Sequence, residues 1–319
     1  MSKKTQRLDF LAAISGAMIA LQARANGELS HRLNNGLEAA LVSFGSGLVI
    51  ITIIAIFSPS IKEGARNLRG AVSRKELPRW TLFAGALGGS FVAVQTHIVP
   101  VIGVAIYSVA SIAGQTATSL VVDRIGLTGG GKKQVTPRRI AAALFTVFAV
   151  FISVFDRLDA SNISIVAVLL GCVAGAIVGV QRAMNGQINE HSHQSFTTSF
   201  LNFFMGTSFL FLLLLFLALI GPTTLVALPA GPWWIYTGGT LGVIYIAFTS
   251  TIVQHLGVLT FTLFSVGGQL VASLLIDLYS PADGVNVSIY LISGIAMTYL
   301  GVVVGGVNNS QARKRLTHK

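Results

Sequence analysis

Residues 21 to 29 read LQARANGEL, and residues 180 to 188 read VQRAMNGQI. The two stretches share Gln, Asn and Gly at identical spacing, 159 positions apart, within surroundings that are otherwise mostly apolar. The match continues on both sides of this phrase. At the offset of 159 the identical pairs are Gly16 with Gly175, Gln22 with Gln181, Asn26 with Asn185, Gly27 with Gly186, Phe44 with Phe203 and Gly47 with Gly206. The phrase therefore belongs to a long internal duplication.

Further along the chain the duplication continues at an offset of 154. The identical pairs there are Pro78 with Pro232, Trp80 with Trp234, Gly85 with Gly239, Gly88 with Gly242, Gly103 with Gly257, Gly114 with Gly268, Gln115 with Gln269 and Asp123 with Asp277. Only the basic loop between the two sets, residues 58 to 79, differs in length, by five residues. We expect two repeats, residues 1–158 and 159–319.

The composition predicts an integral membrane protein. Hydrophobic residues make up 53% of the chain, charged residues 10%, and the mean hydropathy is +0.74. Residues 191 to 276 contain no Asp, Glu, Lys or Arg. Apolar stretches and turn residues together indicate an all-α fold with ten transmembrane helices. The expected spans are 8–29, 37–57, 79–98, 100–122, 138–155, 163–188, 196–220, 233–252, 257–277 and 286–306.

Five spans in each half predict that the two repeats are inverted, because an odd number makes the second half enter the membrane the opposite way up. With a cytoplasmic N-terminus, 19 of the 22 Lys and Arg residues lie inside, against Arg24, Arg32 and Arg157 outside. The net charge of +11 then reflects positive-inside topology and not a nucleic-acid partner. We expect a multi-pass protein of a bacterial-type plasma (inner) membrane, with both termini cytoplasmic.

Two polar seams recur in the duplication. Helix 4 carries Ser108, Ser111, Gln115, Ser119 and Asp123 on one face, and helix 9 carries Thr262, Ser265, Gln269, Ser273 and Asp277. Both seams should face protein or a water-filled cavity, because polar groups facing lipid are costly. Gln115 and Gln269, with Ser111 and Ser265, are candidate substrate contacts. The alternative is that these side chains only join neighbouring helices by hydrogen bonds.

The repeated phrase supplies four more candidate substrate contacts. Gln22 and Asn26 share one face of helix 1, and Gln181 and Asn185 share one face of helix 6. The alternative is helix termination, which the sequence favours for the glycines of the two Asn-Gly pairs. Arg24 and Arg182 are interpreted as interfacial residues, with contact to an anionic substrate group as the lesser alternative.

These patterns resemble the ten-helix members of the drug/metabolite transporter superfamily, and most closely its YdcZ-like branch. The resemblance covers residues 8 to 306 and includes the Gly-x5-Gln-x3-Asn-Gly motif of helices 1 and 6 and the Gly-Gln-x3-Ser-x3-Asp ends of helices 4 and 9. Compact multidrug members of the superfamily carry a glutamate within the first helix. Here Met18, Ala20 and Leu21 occupy that neighbourhood, which argues against proton-coupled export of cationic drugs.

Acidic residues are absent from the middle of every predicted span; Glu28, Glu38, Asp123 and Asp277 lie near span ends, where solvation is expected to be easy. Cys172 is the single cysteine, which excludes an internal disulfide and a cysteine-cluster metal site. No nucleophile, base and orienting group gather at a plausible spacing, so we expect no enzyme, no cofactor and no bound metal.

The leading hypothesis is a secondary transporter that exports a small polar or zwitterionic metabolite by alternating access. The partners are then a small-molecule substrate and the lipid bilayer. A homodimer is allowed but not required, because one chain contains both repeats. The alternatives are an uncoupled facilitator or channel and a membrane scaffold that transports nothing.

Overall fold

The computed structural model describes residues 3–127, 135–155, 165–221, 226–246, 258–281 and 286–316. Within these ranges the chain is all-helical, as predicted. The helices are α1 (Lys3–Leu33), α2 (Gly36–Phe57), α3 (Pro59–Ser73), α4 (Ala84–Ile125), α5 (Pro137–Val154), α6 (Ile165–Ser192), α7 (Ser195–Ile220), α8 (238–246), α9 (Val258–Tyr279) and α10 (Ile289–Leu316). By length and composition, α1, α2, α4, α5, α6 and α7 can cross a membrane, and α9 and α10 contain shorter apolar helices.

α4 covers two predicted spans, 79–98 and 100–122. As a straight helix its 42 residues would reach about 63 Å, roughly twice the thickness of a bilayer core. Gly103 interrupts it with φ 80° and ψ 167°, a conformation open to glycine and few other residues. The rings of Phe91 and Tyr107 lie 6.2 Å apart, whereas a straight helix would separate them by about 24 Å. α4 therefore folds back at Gly103 into a first segment (84–102) and a second segment (104–125).

The carboxylate of Asp277, near the end of α9, caps the second segment of α4. Its Oδ1 accepts a hydrogen bond from the Val104 N–H at 3.1 Å, and its Oδ2 accepts one from the Ala105 N–H at 2.7 Å. The first N–H groups of a helix have no acceptor within the helix, and negative charge is stabilising there. Asp277 is 2% exposed, so the expectation of an easily solvated carboxylate is wrong for this residue. Its repeat partner, the Asp123 side chain, lies outside the described residues.

The basic segment after α2 forms a helix, α3, although residues 58 to 79 were predicted to be a loop. The buried residues of α3 recur every three or four positions and are Ile61, Gly64, Leu68 and Ala71. Its exposed residues include Lys62, Arg66 and Arg69. Ser58 followed by Pro59 is a common helix start. A short basic amphipathic helix of this kind is typical of an element that lies at the membrane surface.

The two Asn-Gly pairs do not end their helices, so the termination hypothesis is wrong. α1 continues past Gly27 to Leu33, and α6 continues past Gly186 to Ser192. The residues that follow these ends, Asn34 and His193, adopt left-handed backbone with φ 49° and 54°. Within a membrane helix every backbone group needs an internal partner, and this requirement overrides a local stop signal. Gly27 serves packing instead, because a Cβ there would overlap the side chain of Val99.

Glycines bring α1 and α9 into backbone contact. A Cβ added to Gly16 of α1 would overlap the carbonyl of Ser265 in α9. In the same helix pair, a Cβ added to Gly268 would overlap the carbonyl of Ala13. Such close approach through small residues is typical of membrane helix interfaces. One helix from each half of the chain contributes to this contact.

α4 and α6 repeat the same arrangement with equivalent residues. A Cβ added to Gly175 of α6 would overlap the carbonyl of Ser111 in α4, and one added to Gly114 would overlap the carbonyl of Cys172. In each pair the glycine and the carbonyl residue match those of the α1 and α9 contact at offsets of 159 and 154. The buried seam serines thus also mark the closest helix approaches.

α2 and α7 pack through two reciprocal ring contacts. The rings of Phe44 and Phe203 lie 5.2 Å apart, and each ring covers the glycine that follows the other phenylalanine by three residues. These glycines are Gly47 and Gly206, which are equivalent at the offset of 159.

The largest buried apolar cluster lies elsewhere, around the second segment of α4, and also contains residues of α1, α5, α6, α9 and α10.

Replacing Gly16 or Gly175 by Ala should lower the melting temperature of the purified protein. The added methyl group must displace backbone and not a flexible side chain, which typically costs about 1 to 3 kcal/mol. Gly45→Ala is the matched control, because no atom lies within 4 Å of the Cβ position at Gly45 in α2. Equal melting temperatures for Gly16→Ala and Gly45→Ala would contradict the packing account.

Replacing Asp277 by Leu should destabilise the protein more than replacing it by Asn. Leu leaves the N–H groups of Val104 and Ala105 without the carboxylate, at about 1 to 3 kcal/mol for each buried group, whereas Asn keeps one acceptor oxygen. Thermal unfolding in detergent measures the order of the two variants. Glu190→Gln, which removes an exposed carboxylate at the end of α6, is the control. If Asp277→Leu unfolds at the control's temperature, the cap does not stabilise the bend.

Candidate functional site

The four predicted glutamines, Gln22, Gln115, Gln181 and Gln269, each belong to a separate hydrogen-bonded group. Ser111 joins the group of Gln115 and Asn185 joins that of Gln181, whereas Asn26 bonds to Gln95. Every group joins at least two helices or helix segments that the sequence places in the membrane. The seams of α4 and α9 face protein, as expected, since Ser108, Ser111, Ser265 and Ser273 are buried. The side chain of Thr262 lies outside the described residues.

Gln115 connects the α4 seam to a cationic side chain. Its Nε2 donates to Ser111 Oγ at 3.0 Å, and its Oε1 accepts from Arg182 Nη1 at 2.6 Å. The other terminal nitrogen of Arg182 donates to the Tyr245 hydroxyl at 3.1 Å. Gln115 is partly exposed and Arg182 is exposed. Helices α4, α6 and α8 thus meet around one guanidinium whose hydrogen-bond acceptors are uncharged. We call Gln115, Arg182 and Tyr245 the arginine group.

Arg182 and Arg24 differ in how their charges are compensated. Arg24 lies 3.7 Å from Glu28, donates to Ser280 Oγ at 2.7 Å, and lies over the ring of Trp234 at 5.9 Å. The interfacial interpretation suits this arrangement. Among the described side chains no carboxylate lies within ion-pair distance of Arg182. The arginine group therefore carries a positive charge that its described partners do not neutralise.

Gln269, the repeat equivalent of Gln115, has different surroundings. It is 3% exposed, and its Nε2 donates to Ser108 Oγ at 3.5 Å, at the long limit for a hydrogen bond. Its neighbour in the seam, Ser265, is also buried, with its carbonyl against Gly16. The two seam glutamines are thus equivalent in sequence but not in exposure.

Gln181 and Asn185 belong to a continuous chain of amides. Gln181 Nε2 donates to Asn202 Oδ1 at 2.9 Å, and Asn202 Nδ2 donates to Asn185 Oδ1 at 2.6 Å and to the Thr198 carbonyl at 2.9 Å. Asn202 is buried in α7. It was not among the sequence candidates, although an asparagine within an uncharged span is the kind of signal that identifies such a residue.

Gln22 and Asn26 make separate contacts in the other half. Gln22 Nε2 donates to the Gly238 carbonyl at 3.1 Å, and Asn26 Nδ2 donates to Gln95 Oε1 at 3.4 Å. Asn26 Oδ1 and Gln95 Nε2 are buried without a hydrogen-bond partner among the described residues. The hydroxyl of Tyr107 likewise has no partner at full hydrogen-bond distance within the described part of the chain, and it lies near Gln95 and Ser111. Neither Gln95 nor Tyr107 was a sequence candidate.

No group of three or more His, Cys, Asp or Glu side chains with metal-binding geometry occurs among the described residues.

A cavity of about 270 Å³ lies between α3 and the end of α6, lined by Arg66, Asn67, Gly70, Arg74, His191 and His193. At its edge Arg74 donates two hydrogen bonds to Glu76, at 2.8 and 2.9 Å, which lower the pKa of that exposed carboxyl. This cavity is separate from the four glutamine groups.

The chain is similar in fold to a solved structure entitled "Crystal structure of protein". The two share 15% sequence identity with a TM-score of 0.52, over 98% of this chain and 99% of that one. No curated protein matches the chain.

The family model DMT_YdcZ, described as "Putative inner membrane exporter, YdcZ", matches residues 8–152 and 166–304. These two stretches cover most of the chain, and they confirm the resemblance seen in the sequence. The chain therefore belongs to the DMT_YdcZ family of inner membrane exporters.

Proposed function

We propose that the protein is a secondary transporter that exports a small polar or zwitterionic metabolite by alternating access. The observation that carries this proposal is the arginine group, in which Gln115, Arg182 and Tyr245 from three helices meet around an exposed guanidinium. Polar side chains of this kind are costly within a membrane and mark substrate pathways. The proposed substrate contacts are Gln22, Asn26, Ser111, Gln115, Gln181, Asn185, Ser265 and Gln269.

The proposed architecture is two inverted repeats, residues 1–158 and 159–319. Three observations support it: the duplication in sequence, the reciprocal glycine contacts between equivalent helices, and family matches of similar length in the two halves. In such transporters the substrate site lies between the repeats, which move relative to one another. Because both repeats are in one chain, a homodimer is not required.

The charge of the arginine group favours a substrate with an anionic group. A guanidinium with uncharged partners attracts a carboxylate or phosphate and repels a cation. The buried carboxylate of Asp277 is already engaged by two backbone N–H groups, which makes it a poor counter-ion for a cationic substrate. A zwitterion satisfies both the guanidinium and the surrounding amides.

Two other functions stay open. An uncoupled facilitator would use the same polar residues but could not build a concentration gradient, so an accumulation assay in vesicles separates it from a coupled transporter. A scaffold without transport activity would need no exposed cation hydrogen-bonded to polar side chains of two other helices, and the arrangement of Arg182 argues against it.

Replacing Gln115 or Gln269 by Leu should weaken substrate binding and transport. A substrate group left unpaired in a desolvated site costs about 1 to 3 kcal/mol, or roughly 5-fold to 150-fold in affinity. The ligand is first selected as a metabolite that raises the melting temperature of the wild-type protein. Its affinity and the melting temperature are then measured together for each variant.

Gln187→Leu is the matched control for both variants, because Gln187 donates one hydrogen bond, to the Leu127 carbonyl, away from the seams. A variant that lowers the melting temperature but keeps wild-type affinity identifies its glutamine as a link between helices only. Unchanged affinity in both seam variants would remove the pair from the site.

We also propose that both termini and α3 are cytoplasmic. A cysteine introduced at Lys62 in a Cys172→Ser background should not react with a membrane-impermeant thiol reagent added outside intact cells. Ala230→Cys, in the exposed segment before α8, should react. The reverse labelling pattern would invert the topology.

A further inference from the structure

Two equivalent positions of the duplication hold residues of different length. Asn202 of α7 corresponds to Ser43 of α2 at the offset of 159. Around Asn202 the amides of Gln181 and Asn185 form the continuous chain described above. Asn202 bridges them because its amide carries both a donor and an acceptor at the end of a two-carbon side chain. This half of the chain is closed by its own hydrogen bonds.

The same bridge is missing in the first half. Ser43 is too short to join Gln22 to Asn26, and Gln22 instead donates to the Gly238 carbonyl. Asn26 Oδ1 and Ser43 Oγ are left buried and unpaired among the described residues. Both oxygens converge on Gly238, where an added Cβ would overlap the first and lie 2.8 Å from the second.

The unpaired atoms continue into α4. Gln95 Nε2 and the Tyr107 hydroxyl are buried and have no partner at full hydrogen-bond distance among the described residues; the hydroxyl lies near Gln95 and Ser111, in longer polar contacts. Asn26, Gln95 and Tyr107 are 0% exposed and Ser43 is 3% exposed. Exchanging the amide nitrogen and oxygen of Asn26 and Gln95 moves the unpaired atoms without removing them. We call these four residues the open cluster.

An unpaired polar atom in a membrane protein interior is costly, and four of them side by side need an external partner. The open cluster offers an acceptor at Asn26, a donor at Gln95, and hydroxyls that serve as either at Ser43 and Tyr107. None of the four is ionisable near neutral pH, so they lack the counter-charge that a buried ion requires. A group that is uncharged, and both donates and accepts hydrogen bonds, fits them.

We propose that the open cluster is a substrate subsite that binds an uncharged hydrogen-bonding group, a hydroxyl or a carboxamide. This inference rests on the proposed transport function and adds a second contact to the arginine group. In the other half the three amides of Gln181, Asn185 and Asn202 bond to one another. The Thr198 hydroxyl is the one unpaired polar atom beside them among the described residues, so we infer that the two repeats contribute unequally to substrate recognition.

The test measures access to Ser43 by chemical modification in a Cys172→Ser background. Ser43→Cys exchanges one oxygen for sulfur. Ala40→Cys is the control, because Ala40 lies on the same helix and is fully buried in an apolar cluster. The reagent is methyl methanethiosulfonate, which is small and uncharged. The cysteine at position 43 should react at least tenfold faster than the cysteine at position 40. Equal rates would mean that the cluster is sealed and would overturn the proposal.

Two probes of equal shape then identify the ligand class. Acetamide should slow the modification at position 43, at least about twofold at about 100 mM, since ligands of so few atoms bind weakly. Acetate, which is charged, should not. Adding Tyr107→Phe, which removes one hydroxyl of the cluster, should abolish the protection by acetamide. Protection by acetate, or by neither probe, would overturn the proposal.

If Ser43→Cys is not recovered folded, Asn26→Cys reports on the same cluster, with the fully buried Ala20→Cys of α1 as its control. The labelling does not depend on transport. Loss of transport function would appear in the Gln115 and Gln269 variants, whereas failure of the subsite would appear in the labelling and protection rates.

Discussion

Contact between glycines and backbone carbonyls is the constraint on which the rest of this structure depends. Lipid supplies no hydrophobic force between helices, so their association relies on close packing. In α1 with α9, and in α4 with α6, the backbones approach so closely that a single methyl group would not fit. These contacts fix the depth of the two seam-bearing helices, α9 and α4, relative to α1 and α6. The polar groups of the interior can meet at hydrogen-bond distance because this framework holds them there.

The same framework distributes polar groups unequally between the halves. In the second half Asn202 forms hydrogen bonds with Gln181 and Asn185. In the first half the equivalent residue is Ser43, and Ser43 Oγ and Asn26 Oδ1 are both unpaired among the described residues. The seam glutamines differ in a similar way, since one contacts an exposed guanidinium and its equivalent is buried against Ser108. A repeated backbone therefore presents two chemically different surfaces. Such a difference allows a substrate with two unlike ends to bind in one orientation.

Much of the fold was predictable because it depends on local composition. The apolar spans and the duplication follow from counting residues, and the seams follow from helical periodicity. The bend of α4 was predictable only as the boundary between the spans 79–98 and 100–122, because the residues after the bend are capped by a carboxylate from α9, far along the chain. The ends of α1 and α6 were misplaced because the need for internal backbone hydrogen bonds in a membrane helix overrides an Asn-Gly stop signal. The α3 helix was missed although its apolar residues recur at helical spacing.

The site was less predictable than the fold. A sequence shows that Gln22 and Gln181 are equivalent, but not that one bonds to a backbone carbonyl and the other to an asparagine. Gln95, Tyr107 and Asn202 belong to these groups through contacts between helices far apart in sequence. Sequence similarity identifies the family, whereas the class of substrate is inferred from where these side chains lie in the fold.

The cap on α4 has a consequence for biosynthesis. Residues 104 and 105 leave the ribosome long before Asp277, which lies 172 residues after Ala105. During that interval the first N–H groups of the second segment of α4 lack the carboxylate, and α1 lacks its partner α9. The first repeat therefore lacks the helix cap on α4 and the packing partner of α1 until α9 is synthesised. Maturation of this protein is coupled to the synthesis of its second half, and a chain truncated before Asp277 presents an uncapped hairpin to the cell's quality-control machinery.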